Sequence, residues 1–470
     1  MSIDRIAHLV VLMLENRSFD HLLGFAGIPG VDAPPPAPLY TDKRGTPEFK
    51  DDEMHRASPS DKPGASYIGD LFVDPDHSFE AVRNQLTVNG QNQGFLYSYA
   101  HQVGTHLPSA LKIMQCVQKG RLPSLEQVAR EFTLCTRWFS SLPGPTIPNR
   151  MFAHLGTANG NVKMELTPYT YGGYSGNSIY GLLQDARTSK VEPYRIYCVG
   201  GSSLSLVIPD VLNNLDGSIA WFDDFLQDVK RGTLPQYSFI EPNYSDYFNA
   251  DTYRQVFASD QHPDHDLRPG DHLIADVYDA IRNSTHWDDT VLLITYDEHG
   301  GLFDRCPPGQ TVSPDGIPAA IGDDDHPDTY HFDTLGVRVP AIVVSKYSPR
   351  GIDTTIYDHT SIPKTALDLF APESRSELGR RTAAAASFLT LTDTSQPRDD
   401  TPRRLQRSHF KWASVRATRD THAKGKLVTE HQSMLVQASA IAEAMVHGAA
   451  SVDPASVRTE HSAAGYVHRV

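Results

Sequence analysis

Cysteine is scarce: Cys116, Cys135, Cys198 and Cys306 are the only four in a chain of 470 residues. None stands in a CxxC pair, which argues against a disulfide framework and a cysteine zinc site and leaves buried thiols as the expectation. Basic charge is also in deficit. Lys and Arg number 42 against 57 Asp and Glu, a net charge of -15, with no basic stripe, so no nucleic-acid partner is expected. A local cation can override the global sign, which keeps a phosphate ester open as a substrate. No apolar run approaches the ~20 residues that a membrane-spanning helix needs. The start, "MSIDRIAHLVV", has no basic region before its apolar stretch and no small-residue cleavage site after it. It reads as a first strand rather than a signal peptide. The expectation is a soluble protein without a cleavable signal peptide, cytoplasmic or exported by a leaderless route. Walker A, G-x-S-x-G and H-E-x-x-H patterns are missing too. That sets aside P-loop NTPases, the usual serine esterases and the common zinc proteases.

What is present is an alternation. Apolar runs with strand character recur at 7–14, 194–199, 236–242, 290–296 and 339–345, and helical patterns fall at 124–132, 271–282 and 361–370. Strand and helix alternating in this way predict an α/β fold, a doubly wound and mostly parallel sheet with helices on both faces. Residues 30–65, rich in Pro, Asp and Lys, read as a long surface excursion, and 158–190, with its glycines, as an irregular insert. After 402 the character changes. The expected division is a main domain over 1–402 and a partly helical C-terminal extension over 403–470 of unknown role. Its Ala-rich helix is expected to pack on the parent domain, with a membrane or partner helix the lesser option.

Two of the predicted strands end abruptly on polar oxygen. "HLVVLMLEN" runs into Glu15 and Asn16, and "VLLITYDEHGG" into Asp297 and Glu298. In an open parallel sheet, ligands gather at the carboxyl ends of strands. Three carboxylates brought together there repel one another unless a cation neutralises them. An all-oxygen set suits a hard divalent ion; calcium, magnesium, manganese and zinc all remain open. Gly300 and Gly301 permit a sharp turn after the second strand. A single such pair would more simply cap its strand and face water; two pairs favour the metal.

The stretch "SSLPGPTIPNRMFAHL" (140–155) has the build of a nucleophile loop. A Gly-Pro turn precedes Thr146, and Pro148 suits the first turn of a helix. A hydroxyl at such a position lies beside unpaired backbone N–H groups that attract phosphate, and metal coordination would lower its pKa. A plain helix-capping role is the alternative for Thr146. Among 21 histidines, His77, the cluster His262, His265 and His272 with Asp266, and His359 stand out by their turns and helix starts. Histidine can supply both hydrogen-bond donors and an acid near neutral pH.

These motifs, "ENRSFDHLLG", "DPDHSFE", "RWFSSLPGPTIPNRMF", "HPDHDLRPGDH", "TYDEHGGLFD", "GVRVPAIVVSKYSPRG", "YDHTSIPKT" and "PRDDTP", stand in one order over residues 5–402. In that order the chain resembles the bacterial phospholipase C/acid phosphatase A family. This is the phosphoesterase group of the alkaline-phosphatase-like superfamily, which also includes the plant non-specific phospholipases C. The resemblance implies an alkaline-phosphatase-like fold, a metal held by Glu15, Asn16, Asp297 and Glu298, and Thr146 as nucleophile. It also implies His77, His262 and His359 around the phosphate and a role for Asp266, with His265 a weaker candidate. One departure is Arg305 after Asp304, where the family commonly has His; it is expected to alter charge at the pocket mouth.

The expected activity is that of a phospholipase C on phosphatidylcholine-like lipids through a phospho-threonine. Acid phosphatase activity on small monoesters is the close rival, and a non-catalytic binding module that keeps the fold is the rival of another class. The expected partners are a phospholipid or a small phosphate ester, with transient membrane-surface contact. Tyr169, Tyr171, Tyr174 and Tyr180 are candidates for a lipid-facing patch, although Tyr-rich loops more often simply pack on their own domain.

Overall fold

The computed structural model describes residues 5–34, 58–59, 71, 73–86, 92, 94–104, 110–170, 172–249, 254–322, 327–392, 396–409, 430–458, 463 and 466–467. Its centre is an eight-stranded sheet. In chain order the strands are β1 (His8–Leu14), β2 (Thr133–Cys135), β3 (Tyr194–Cys198), β4 (Ile219–Trp221), β5 (Tyr237–Glu241), β6 (Thr290–Tyr296), β7 (Ala341–Val344) and β8 (Gly351–Asp353). In space they run β8-β2-β7-β6-β1-β5-β3-β4. Strand β7 is antiparallel to both its neighbours, and every other pair is parallel.

The uninterrupted apolar runs explain the middle of this sheet. Every residue of β1, β5 and β6 is buried, as strands covered on both faces must be. The helices that matter for the site are α1 (Phe79–Leu86), α2 (Thr146–Leu155), α3 (Leu267–Arg282) and α4 (Ser361–Phe370). A fifth helix, α5 (Glu430–His447), seats Leu435, Val436 and Ala438 in the same apolar core as the sheet.

The parallel register of β1 and β6 is the fact on which the site rests. Leu14 pairs with Tyr296, so the polar residues that follow, Glu15 and Asp297, emerge side by side.

Cys116, Cys135 and Cys198 are buried and Cys306 is partly exposed. Tyr169 and Tyr180 are buried in the core and Tyr174 packs against it, so these rings hold the 158–190 region on its own domain rather than facing lipid. Tyr171 lies outside the described residues, as does most of the expected excursion over 30–65. The 158–190 region contains a short helix over Ile179–Asp185. Among the described residues, no helix is long and apolar enough to cross a membrane.

Candidate active site

The ends of β1 and β6 meet as the register requires. The Asn16 N–H donates to Asp297 Oδ1 at 3.0 Å, and the Asp297 N–H donates to the Leu14 carbonyl at 3.2 Å. Asn16 takes φ +53°, a left-handed conformation that Asn tolerates better than most residues. Gly300 lies directly against it. A Cβ on Gly300 would stand 2.4 Å from the Asn16 carbonyl oxygen, and its φ is +63°. Only glycine lets the chain after β6 fold back so close.

Helix α2 brings the hydroxyl. The cap residue is Pro145 and Thr146 opens the helix, so Thr146 does not cap through its side chain. Its Oγ1 instead donates to Asn16 Oδ1 at 3.2 Å. Asn149, one turn on, clamps the preceding loop. Its amide nitrogen donates to the carbonyls of Gly144 at 2.8 Å and Pro145 at 3.1 Å, and its Oδ1 accepts from the Leu142 N–H at 3.0 Å.

Arg150, on the same helix, is wholly buried and bridges the two strand ends. Its Nε donates to Asp297 Oδ2 at 3.1 Å and its Nη2 to Glu15 Oε1 at 3.3 Å, with the Tyr244 ring 5.5 Å from the guanidinium carbon. Burial, then the Asp297 charge, push Glu15 well above the usual carboxylate range despite Arg150. Asp297 is likewise raised, by burial and by Glu298 against the pull of Arg150. Glu298 goes the other way: burial opposes its charge, but His77, His299 and the Gly300 N–H outweigh it.

The histidines are placed unequally. His77 Nδ1 donates to the Pro75 carbonyl at 2.9 Å, which turns Nε2 toward Glu298 Oε1, 4.0 Å away. The His262 ring lies 6.2 Å from it, with Nδ1 2.6 Å from Asp264 and Nε2 3.5 Å from Asp74. Burial pushes the His262 imidazole down, but Asp74 and Asp264 override it and raise it to about 9. His359 reaches the cluster from the start of α4. Its Nε2 donates to the Asp297 carbonyl at 2.5 Å, while its Nδ1 accepts from Trp138 Nε1 at 3.3 Å. These partners fix one neutral tautomer, and burial lowers its pKa to about 4. His359 therefore buttresses the Asp297 backbone.

Asp266 is the cap of α3, its carboxylate taken up by the backbone and guanidinium of Arg268. His265 bonds both oxygens of Asp260. Arg305 pairs with Asp20 at 3.4 Å, and Asp304 is buried against Arg338. Three residues missed by sequence reasoning hold the site together: Asn149, Arg150 and Arg17, whose guanidinium grips the carbonyls of Gln261 and His262.

The donor chemistry of the strand ends fits a hard divalent cation. Glu298 Oε1 is buried without a hydrogen bond among the described residues, and the Asn16 amide oxygen keeps a second lone pair beside the one that takes the Thr146 hydroxyl. Among the described residues, Glu15, Asp297 and Glu298 do not each bring an oxygen within 4.8 Å of the others; Arg150 bridges two of them. The arrangement combines a hydroxyl at a helix start, a carboxylate cluster and a charged imidazole, a set suited to phosphoryl transfer.

Comparison with known proteins agrees with that chemistry. The sequence pattern of the phosphoesterase family matches residues 6–371. Non-specific phospholipase C6 of Arabidopsis thaliana is 33% identical, over 92% of this chain and 80% of its own. Phospholipase C B of Mycobacterium tuberculosis is 29% identical, over 76% and 72%. A solved structure of an alkaline phosphatase superfamily protein from Vibrio parahaemolyticus is a distant likeness. It is 13% identical, over 58% of this chain and 64% of that one, at a TM-score of 0.33.

Proposed function

We propose, from the premise that this chain belongs to the phosphoesterase family and is a hydrolase of phosphoric ester bonds, that it is a phospholipase C. Its substrate would be a phosphatidylcholine-like lipid, met in transient contact with a membrane surface, and its products diacylglycerol and a phosphorylated head group. The observation that carries the mechanism is the 3.2 Å bond from Thr146 Oγ1 to Asn16 Oδ1, which ties a helix-start hydroxyl to the carboxylate-rich strand ends. The relatives named phospholipase C support a phospholipid substrate; the phosphatidylcholine-like head group is part of the proposal.

Glu15, Asn16, Asp297 and Glu298 would hold a divalent cation, of which calcium, magnesium, manganese and zinc all suit the donors. When bound it supplies Lewis acidity and positive charge beside the hydroxyl. Thr146 Oγ attacks phosphorus and the bond to the diacylglycerol oxygen breaks. His262, protonated below about 9, gives that oxygen its proton, and the Thr146 proton passes to solvent. The head-group phosphate is now esterified to Thr146. Water then attacks phosphorus and returns a proton to His262, and the threonine oxygen leaves and is reprotonated from solvent. Asn16 orients the hydroxyl, and the N–H groups at the start of α2 favour the phosphoryl oxygens. His77 faces Glu298, and His359 keeps the Asp297 backbone in place.

The test compares phosphatidylcholine vesicles with a chromogenic phosphomonoester on the purified protein. Phosphocholine release is expected, falling by more than about a thousandfold in Thr146→Ala. Turnover of the monoester alone would make the protein an acid phosphatase. Turnover of neither, with metal supplied, would make it a binding module.

A further inference from the structure

The opposite rim of the sheet holds a second set of ligand-bearing side chains that phosphoester chemistry does not use. His8 opens β1 and Asp289 immediately precedes β6, with the Ala7 and His8 N–H groups both donating to the Asp289 carbonyl at 2.9 and 3.1 Å. His286 stands in the 3-10 turn Thr285–Asp288, which Ser284 caps. The seven residues of β1 separate this corner from Glu15 by roughly 20 Å at the rise of an extended strand.

One ligand atom each from His8, His286 and Asp289 lies within 4.8 Å of the other two. The His8 and His286 rings meet edge to face, centroids 4.3 Å apart. The His8 Nδ1–H donates to the Pro235 carbonyl at 2.8 Å. That bond leaves the Nε2 lone pair for a ligand, in the way a metal-binding histidine is oriented by a backbone carbonyl. His286 Nε2 and Asp289 Oδ1 are buried atoms without a hydrogen bond among the described residues, and so is the hydroxyl of Thr290, the residue paired with His8 across the strands. His286 Nδ1 lies 3.5 Å from Asp289 Oδ1, but that contact leaves His286 Nε2 and the Thr290 hydroxyl without a hydrogen bond among the described residues, and buried polar atoms left so cost free energy.

We propose that His8, His286 and Asp289 bind a borderline transition cation of the zinc type. Two imidazoles and one carboxylate match that class, whereas the all-oxygen cluster at the other rim suits a harder ion. Three protein ligands leave a fourth position to water. The ion ties the first strand to the turn before β6, a structural clamp with no part in turnover.

The full-length protein is stripped with a chelator, reloaded with zinc alone, desalted and assayed for metal per chain and for melting temperature. Asp297→Asn serves as the background, so that zinc held at the carboxylate cluster is weakened. In that background one zinc per chain is expected to remain and to raise the melting temperature. Adding His286→Gln or Asp289→Asn, both partly exposed positions, is expected to remove that zinc or weaken it at least about tenfold and to abolish the thermal shift. Asp289→Asn alone should leave phosphoester hydrolysis unchanged. Zinc retained equally in the His286→Gln and Asp289→Asn chains, or no zinc in the Asp297→Asn chain, would overturn the proposal. Neither result bears on the function of the other rim.

Discussion

Arg150 is a buried cation whose two carboxylate partners come from different strands. Removing it leaves Glu15 and Asp297 buried and uncompensated. Arg150→Met is therefore expected to lose about 3–5 kcal/mol of stability in denaturant titration. Arg150→Lys should not restore it, because one ammonium cannot reproduce a two-pronged fork; full rescue by Lys would contradict the bridging role. His262 offers a sign-specific test. Its pKa in the fold is about 9, above the ordinary 6.5. The stability from its charge pairs is thus complete below pH 6.5 and disappears as pH rises through 9. If its proton serves the leaving group, kcat/KM falls on the same alkaline limb. Asp264→Asn should move that limb down by about 1–3 units, and an unmoved limb would remove His262 from that role. The sequence marked Glu15, Asn16, Asp297 and Glu298 because long apolar runs stop on them without a spacer. It did not mark Arg150 or Asn149. Charged and amide residues inside a helix ordinarily read as a solvated face, and nothing nearby in the chain announces that β1 and β6 will bury them.

At the scale of elements, the turn after β6 carries the most constraint. Gly300→Ala would place a methyl against the Asn16 backbone in a left-handed conformation, which costs about 1–2 kcal/mol before any displacement. A lowered melting temperature together with lowered activity is expected. Gly309→Ala, where an added Cβ meets nothing within 4 Å, should be silent. If both variants behaved alike, the close approach of Gly300 to Asn16 would not matter. The long strands β1, β3, β5, β6 and β7 were legible as apolar runs, and α4 was legible to its ends. Strands β2, β4 and β8 have three residues each, too few for any period to show. The antiparallel direction of β7 is equally invisible locally, since a buried strand reads the same either way. The partners of His359 lie 62 and 221 residues away, so its buttressing role could only come from the fold.

For the whole molecule, the C-terminal segment is tied to the site by short links. Gln432 donates to the Tyr244 carbonyl at 3.4 Å, and the Ser202 and Ser439 hydroxyls meet at 2.7 Å. Tyr244 in turn lies over Arg150. Leu435 and Val436 are buried in the same core as the sheet, and exposing each costs about 1.5–3 kcal/mol. A chain of residues 1–402 should therefore melt at lower temperature and bind more of a hydrophobic dye than the full protein; identical melting would make 403–470 a true appendage. Thr146 is the residue on which the proposed chemistry turns. The most direct measurement mixes the protein with phosphatidylcholine, quenches in acid and examines the peptide bearing Thr146 by mass spectrometry. A phosphocholine adduct on Thr146 is expected, absent from Thr146→Ala. A folded Thr146→Ala protein that still turns over the lipid at the original rate would contradict it.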